Sequence, residues 1–274
     1  MGKFSGKLLI TDFDDTFRPR GCSTVPEENL RAAEHFMAEG GLFTLATGRD
    51  PRSFLNILPL FTINAPAVVS NGAVIFDPVG GESLYESFLP FSCREDMKRI
   101  LERYPEAGLE VVRGADVRVV RWNPTAQEHM DEMHASAEEF SMDHLMFPWT
   151  KTVLLAPGSV DDENTAAREM EAWILSEFSG RYEAVTSGAV VDIAAAGSDK
   201  GTGTAKLAEL LDIPMENVIC AGDGRNDLPM LRVAGRAFVP ADAAAEVLAE
   251  PGVTVVGESA VCLRDIVERL EREG

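Results

Sequence analysis

Residues Lys7 to Thr16 constrain this chain more than any other stretch. Leu8, Leu9 and Ile10 form a short apolar run, the pattern of a strand buried on both faces of a parallel α/β sheet. The run stops at three carboxylates, Asp12, Asp14 and Asp15. A sheet interior does not host an unpaired ionised carboxylate, so the acids belong at the strand's carboxyl end, where open α/β sheets bind ligands. Acids crowded there repel one another unless a cation holds them, and a hard divalent ion such as Mg²⁺ prefers oxygen ligands. The competing reading makes Asp14 and Asp15 turn residues and Asp12 a helix cap. This stretch alone leaves both open.

The same pattern recurs along the chain. Thr24 to Glu27 reads as a capping box with a proline in the first turn, followed by an amphipathic helix that stops at Gly40-Gly41. Residues 42–46 are a second apolar strand ending in Thr47-Gly48-Arg49, and Asp50 opens the next helix. Residues 67–70 and 73–76 read as strands around the tight-turn pair Asn71-Gly72. Strand, helix, strand in this order makes a parallel pair with a right-handed crossover, which sets Thr47 beside the acids.

The middle of the chain changes character. A capping box at Ser92 to Glu95, a hairpin over 109–122, a helix opened at Thr125 with Met130, Met133, Ala137 and Phe140 on one face, and a strand over 151–155 are expected. A helix capped by Asp162 and strands over 182–187 and 190–194 complete it. Hairpins plus helices without βαβ alternation read as an α+β unit inserted into an α/β domain. The expected division is a Rossmann-like parallel-sheet core, residues 1–81 and 191–274, with an inserted α/β cap domain over 82–190. The α/β pattern then resumes: Lys200 enters a helix, residues 217–221 run into Gly222-Asp-Gly-Arg-Asn-Asp227, and an amphipathic helix ends the chain.

Composition narrows the chemistry. With 45 Asp and Glu against 25 Lys and Arg, the net charge is −20, which argues against nucleic acid or an anionic membrane as main partner. A phosphorylated ligand must be attracted locally, by a metal, a lysine or backbone N–H groups. The four cysteines, Cys22, Cys93, Cys220 and Cys262, have no paired spacing, so neither a zinc site nor a disulfide framework is expected. No signal peptide or spanning segment is read, and a reduced, cytoplasmic setting is the expectation. Oligomeric state is not legible.

Four strand-end features call for one explanation: Asp12-Phe-Asp14, Thr47-Gly48, Lys200 and Gly222 to Asp227. Carboxylates, a hydroxyl, a free N–H and an ammonium around one point match what phosphoryl transfer needs. In order and spacing these residues resemble the four motifs of the haloacid dehalogenase-like superfamily. The insert, together with Ser70-Asn-Gly-Ala73, resembles its Cof-like small-molecule phosphatases with a type-two α/β cap. The resemblance implies that Asp12 is the nucleophile and a Mg²⁺ ligand, forming an aspartyl-phosphate. Asp14 would be the acid and base, its backbone carbonyl on the metal. Thr47 and the Gly48 N–H would hold phosphoryl oxygens, and Lys200 would pair with Asp12 and the phosphoryl group. Asp223 would complete the metal site, supported by Asn226 or Asp227. Arg49 and Asn71 are candidates for substrate contact. Asp15 departs from the pattern, since the family usually has glycine there.

The implied activity is a Mg²⁺-dependent phosphatase acting on a small phosphorylated metabolite, with a sugar phosphate expected. A sugar phosphomutase built from the same parts and a non-catalytic binding protein are the rivals. Several cap residues read more simply: Arg113, Arg118, Arg121 and Lys151 as solvated hairpin charges, and His129, His134 and His144 as no metal site.

Overall fold

The computed structural model describes residues 2–133, 138–158 and 164–273. The first strand, β1 (Leu8–Thr11), is buried at all four positions. After it come α1 (Glu27–Ala38), β2 (Leu42–Leu45), α2 (Pro51–Ile57), β3 (Ala67–Val69), β4 (Val74–Asp77) and β5 (Glu82–Glu86). The next segment holds α3 (Cys93–Arg103), β6 (Gly108–Arg113), β7 (Asp116–Arg121), α4 (Pro124–Glu132), β8 (Lys151–Leu155), α5 (Thr165–Glu177), β9 (Tyr182–Ser187) and β10 (Val190–Ala195). The chain finishes with α6 (Lys200–Leu210), β11 (Val218–Ala221), α7 (Leu228–Val233), β12 (Arg236–Val239), α8 (Ala245–Leu248), β13 (Val253–Val255) and α9 (Cys262–Glu273).

The expected α/β core is present as a parallel sheet in the order β13-β12-β11-β1-β2. Because side chains alternate along β1, Leu9 enters one apolar layer with Phe36, Phe43 and Ile266, while Leu8 and Ile10 enter the other with Leu207, Cys220 and Met230. Burial on both faces explains the uninterrupted apolar run. An isolated parallel bridge, Ala46 to Val68, carries the sheet on to β3, β4 and β5, which pair antiparallel. From β1 the chain turns to β2 on one side, whereas β11 flanks β1 on the other. The strand order therefore reverses at β1, and a crevice opens at the carboxyl ends of β1, β2 and β11.

The second sheet is antiparallel, in the order β7-β6-β8-β10-β9. One face packs on α3 and α5 through Leu109, Val111, Leu154, Met97, Ile100 and Ile174. On the other, Val112, Val119 and Val153 meet Ala126 and Met130 of α4. Sheet membership does not follow the 82–190 interval: residues 82–86 pair with β4, and residues 191–195 pair within the second sheet.

Several expected local features differ. No side-chain cap forms at Thr24, because Pro26 occupies the N-cap position and the helix begins at Glu27. Ser92 precedes α3 but has helical dihedrals, φ −64° and ψ −17°, and its side chain accepts no capping bond; a capping side chain needs an extended backbone to accept the first turn's free N–H groups. The helix expected from Thr125 is capped by Asn123 and ends at Glu132; Phe140 lies beyond it, donating its N–H to Val119. α5 is capped by Asn164. Ala137, Asp162 and His134 lie outside the described residues. The strand β5, polar and mostly exposed, carried no periodic signal. Among the described residues no helix is long and apolar enough to cross a membrane.

Candidate active site

β1 delivers Asp12 to the crevice, where its N–H bonds the carbonyl of Ala221 at the end of β11. Asp12 Oδ1 receives Lys200 Nζ at 2.6 Å, and the same ammonium donates to Asp227 Oδ1 at 2.6 Å. Lys200 is the first residue of α6, started by a capping box between Asp199 and Thr202. Its place is fixed by close packing on the 70–72 turn: a Cβ on Gly72 (φ +93°) would stand 1.9 Å from the Asp199 carbonyl oxygen. Only glycine accepts both that contact and that dihedral.

The loop after β11 supplies the other acids. Asp227 Oδ2 accepts the N–H groups of Asp223 and Gly224, at 3.0 and 2.9 Å. Asp223 Oδ1 accepts the Thr16 hydroxyl at 2.5 Å. Asp12, Asp223 and Asp227 each present an oxygen within 4.8 Å of the other two. One ammonium among three carboxylates leaves two negative charges uncompensated. Burial first, and Asp227 next, push the Asp223 carboxyl up to about 7. Burial raises Asp12 well above the usual carboxylate range although Lys200 pulls the other way, and Asp227 and Asp223 add to the rise. Burial opposes the charge on Lys200, but Asp12 and Asp227 overcome it and hold the ammonium protonated. This donor set, oxygen atoms with excess negative charge, fits a hard divalent cation.

Asp14 is not in that trio. Arg49 clamps it with two bonds, Nε to Oδ2 at 3.0 Å and Nη2 to Oδ1 at 3.1 Å, and Arg18 adds a third. Burial would raise Asp14, but Arg49 and Arg18 hold it below the usual carboxylate value. Arg49, a candidate for substrate contact, thus touches a site acid in this structure. Asp15 adopts φ +66°, the left-handed region that favours glycine, and its carboxylate binds Arg20 at 2.8 Å. Asp is among the few residues tolerated there, which accounts for the departure from glycine.

Leu45 pairs with Thr11, so the register carries Thr47 one step past the level of Asp12. Thr47 is buried, and its hydroxyl accepts the Arg49 N–H at 3.2 Å. Asn71 donates to Asp192 of β10 at 2.8 Å and receives Asn226 Nδ2 at 3.4 Å, which sets Asn226 beside Asn71.

Other contacts were not read from the sequence. Lys151 is buried, donating to the Gly48 carbonyl at 2.7 Å and to Asp192 at 2.5 Å, so it is no solvated hairpin charge. Asp192 was missed; a lone carboxylate inside Val-Val-Asp-Ile-Ala was its available signal. Arg225 of the acidic loop reaches Glu171 on α5 at 3.1 Å. Arg118 pairs with Asp116, and Arg121 binds carbonyls at the end of α3, both as ordinary hairpin-surface contacts. His129 stands on Glu110 at 3.1 Å.

Comparison with known proteins shows the family and agrees with the fold. The model of the family described as haloacid dehalogenase-like hydrolase matches residues 9–254. A 5-amino-6-(5-phospho-D-ribitylamino)uracil phosphatase of Bacillus subtilis, YitU, is 23% identical over 83% of this chain and 84% of its own length. A phosphoglycolate phosphatase of Methanopyrus kandleri is 34% identical, but over only 34% of this chain; the chain spans 42% of that relative's length. Among solved structures, the subclass IIB sugar phosphatase BT4131 superposes with a TM-score of 0.79 at 22% identity, over 98% of this chain and 99% of its own. BT1666 from Bacteroides thetaiotaomicron does so at 0.76 and 18% identity, over 98% and 95%. With the matched family spanning nearly the whole chain, this protein belongs to the haloacid dehalogenase-like hydrolases, as a Cof-like phosphatase whose parallel-sheet core carries an inserted cap.

Proposed function

We propose that the protein is a Mg²⁺-dependent phosphatase of a small phosphorylated metabolite, a sugar phosphate, working through an aspartyl-phosphate. The supporting observation is the buried Asp12–Lys200–Asp227 ion-pair chain beside Asp223, at the reversal point of the sheet. Asp12 and Asp223, with the Asp14 backbone carbonyl, would hold the metal. Asp227 has both oxygens taken, by Lys200 and by two N–H groups, which suits a supporting role for it, and Asn226 would stand outside the metal shell. When bound, Mg²⁺ supplies positive charge to the phosphoryl oxygens.

In this reading Asp12 attacks phosphorus and the bond to the leaving oxygen breaks as that oxygen takes a proton from Asp14. Water then loses a proton to Asp14 and attacks the phosphoryl group, releasing phosphate and free Asp12. Lys200 keeps Asp12 ionised through pairing, and Thr47 with the Gly48 N–H holds phosphoryl oxygens. Because Arg49 and Arg18 stabilise ionised Asp14, the bound leaving group must loosen that clamp before Asp14 carries a proton. The second sheet would form the cap that excludes bulk water.

The test is phosphate release from a panel of phosphorylated metabolites with Mg²⁺. Release is expected from sugar phosphates. Isomer interconversion without release would establish a mutase instead, and no reaction with any phosphomonoester would favour a binding protein.

A further inference from the structure

The turn carrying Gly48 is roofed by side chains from two distant parts of the chain. A Cβ on Gly48 would stand 3.2 Å from Asn71 Nδ2, 3.3 Å from Asn71 Oδ1 and 3.4 Å from Asp192 Oδ2. Asp192 belongs to the second sheet, yet it reaches the first residue after Thr47. Its two oxygens are fixed, Oδ1 by Lys151 Nζ at 2.5 Å and Oδ2 by Asn71 Nδ2 at 2.8 Å, and Lys151 is anchored in turn on the Gly48 carbonyl. A cavity of about 250 Å³ adjoins this roof, its wall including Lys200, Asn71, Lys151, Asp192 and Asn226.

The cations on that wall are all committed. Lys200 binds Asp12 and Asp227, Lys151 binds Asp192, Arg225 binds Glu171 and Arg232 binds Glu250. Among the described residues, a ligand bringing a second negative charge therefore meets the Asp192 carboxylate, whose Lys151 partner is already engaged with it, and no unpaired cation. A ligand bringing hydroxyl groups meets an acceptor already held in place by two donors.

We propose that Asp192 is the specificity-determining residue: it accepts a hydrogen bond from a hydroxyl on the leaving group and rejects leaving groups that carry a second anion. The substrate class is thus a phosphate ester of an uncharged polyol or sugar, and not of a hydroxy acid or a bisphosphate. This rests on the phosphatase reading above, because it is the phosphoryl group held at Thr47 and Gly48 that sets the leaving group beside Asp192. Like charges opposed in a partly dry site discriminate by repulsion, and a fixed acceptor discriminates by attraction; natural specificity uses both.

The experiment compares kcat/KM of the Mg²⁺-loaded wild type, Asp192→Asn and Asp192→Glu on p-nitrophenyl phosphate, 2-phosphoglycolate and the best of a panel of pentose, hexose and polyol phosphates. Wild type should prefer the polyhydroxylated ester over 2-phosphoglycolate by about tenfold or more, the range of one hydrogen bond or one charge contact in a specific site. In Asp192→Asn that preference should shrink by about tenfold, chiefly through KM, with a smaller change on p-nitrophenyl phosphate. Asp192→Glu keeps the charge but moves it, so it should still reject 2-phosphoglycolate while losing the sugar ester. Thermal unfolding of each variant separates these effects from loss of fold. An unchanged preference in folded Asp192→Asn, or a wild type that prefers 2-phosphoglycolate, would overturn the assignment of Asp192 alone. A wild type inactive on all three substrates would overturn the phosphatase reading and this inference together.

Discussion

Asp12 is held where its own charge is unwelcome. Burial raises its carboxyl well above the usual range, and the neighbouring Asp227 and Asp223 add to the rise, so the ionised nucleophile is a strained component of the fold. Asp12→Asn removes that charge with little change of shape. Turnover should fall by at least about 10³-fold, as for other lost nucleophiles, while the melting temperature holds or rises. Activity near wild type would refute Asp12 as nucleophile. His129 shows the opposite sign. Burial lowers its affinity for a proton, but Glu110 more than restores it, so the folded imidazole titrates above its ordinary value of about 6.5. A group whose folded pKa is raised stabilises fully below its unfolded pKa, and that stabilisation is lost as pH rises through the folded one. Wild type should therefore lose thermal stability relative to His129→Gln as pH rises above the ordinary imidazole value of about 6.5. Parallel melting curves over that rise would show that the Glu110 contact is not an ion pair.

At the scale of elements, the helix that carries Lys200 depends on its cap. Asp199 accepts the Thr202 N–H at 2.7 Å and Thr202 answers with its hydroxyl, satisfying two donors that the helix start leaves orphaned. Asp199→Ala should destabilise the protein by about 1 kcal/mol in denaturant unfolding. It should also lower kcat, since Lys200 is the next residue; an unchanged kcat would mean that packing on Gly72 alone positions the ammonium. The strand ends were readable because a buried run that stops at an acid admits few placements: Asp12, Lys200, Asp223 and Asp227 meet as that logic requires. Capping boxes were less readable, because a four-residue match does not say which residue takes the N-cap position, Pro26 and not Thr24 before α1, nor that Ser92 has helical dihedrals. Lys151 and Asp192 were hidden for another reason. Which face of an inserted antiparallel sheet looks toward the core depends on how two sheets dock, and period-two alternation is the same for either choice.

For the whole molecule, charge is the dominant fact. The chain carries −20 overall and concentrates three carboxylates, two buried and Asp223 half-buried, at one point. A chelator should abolish turnover, with recovery on adding Mg²⁺. Saturating Mg²⁺ should also raise the unfolding free energy, by roughly 3–4 kcal/mol at 100–1,000 times the dissociation constant. A melting curve indifferent to Mg²⁺ would contradict metal binding at this cluster.

The passage between the two sheets has a mechanical consequence. The hydroxyls of Ser87, leaving the core, and Ser198, returning to it, touch at 2.7 Å. Two tethers that run side by side behave as one door hinge: they permit swinging about their common line and resist sliding or twisting away from it. Contacts that bridge the two sheets away from that line, Lys151 on Gly48 and Asn56 on Met133 among them, would have to break for any such swing.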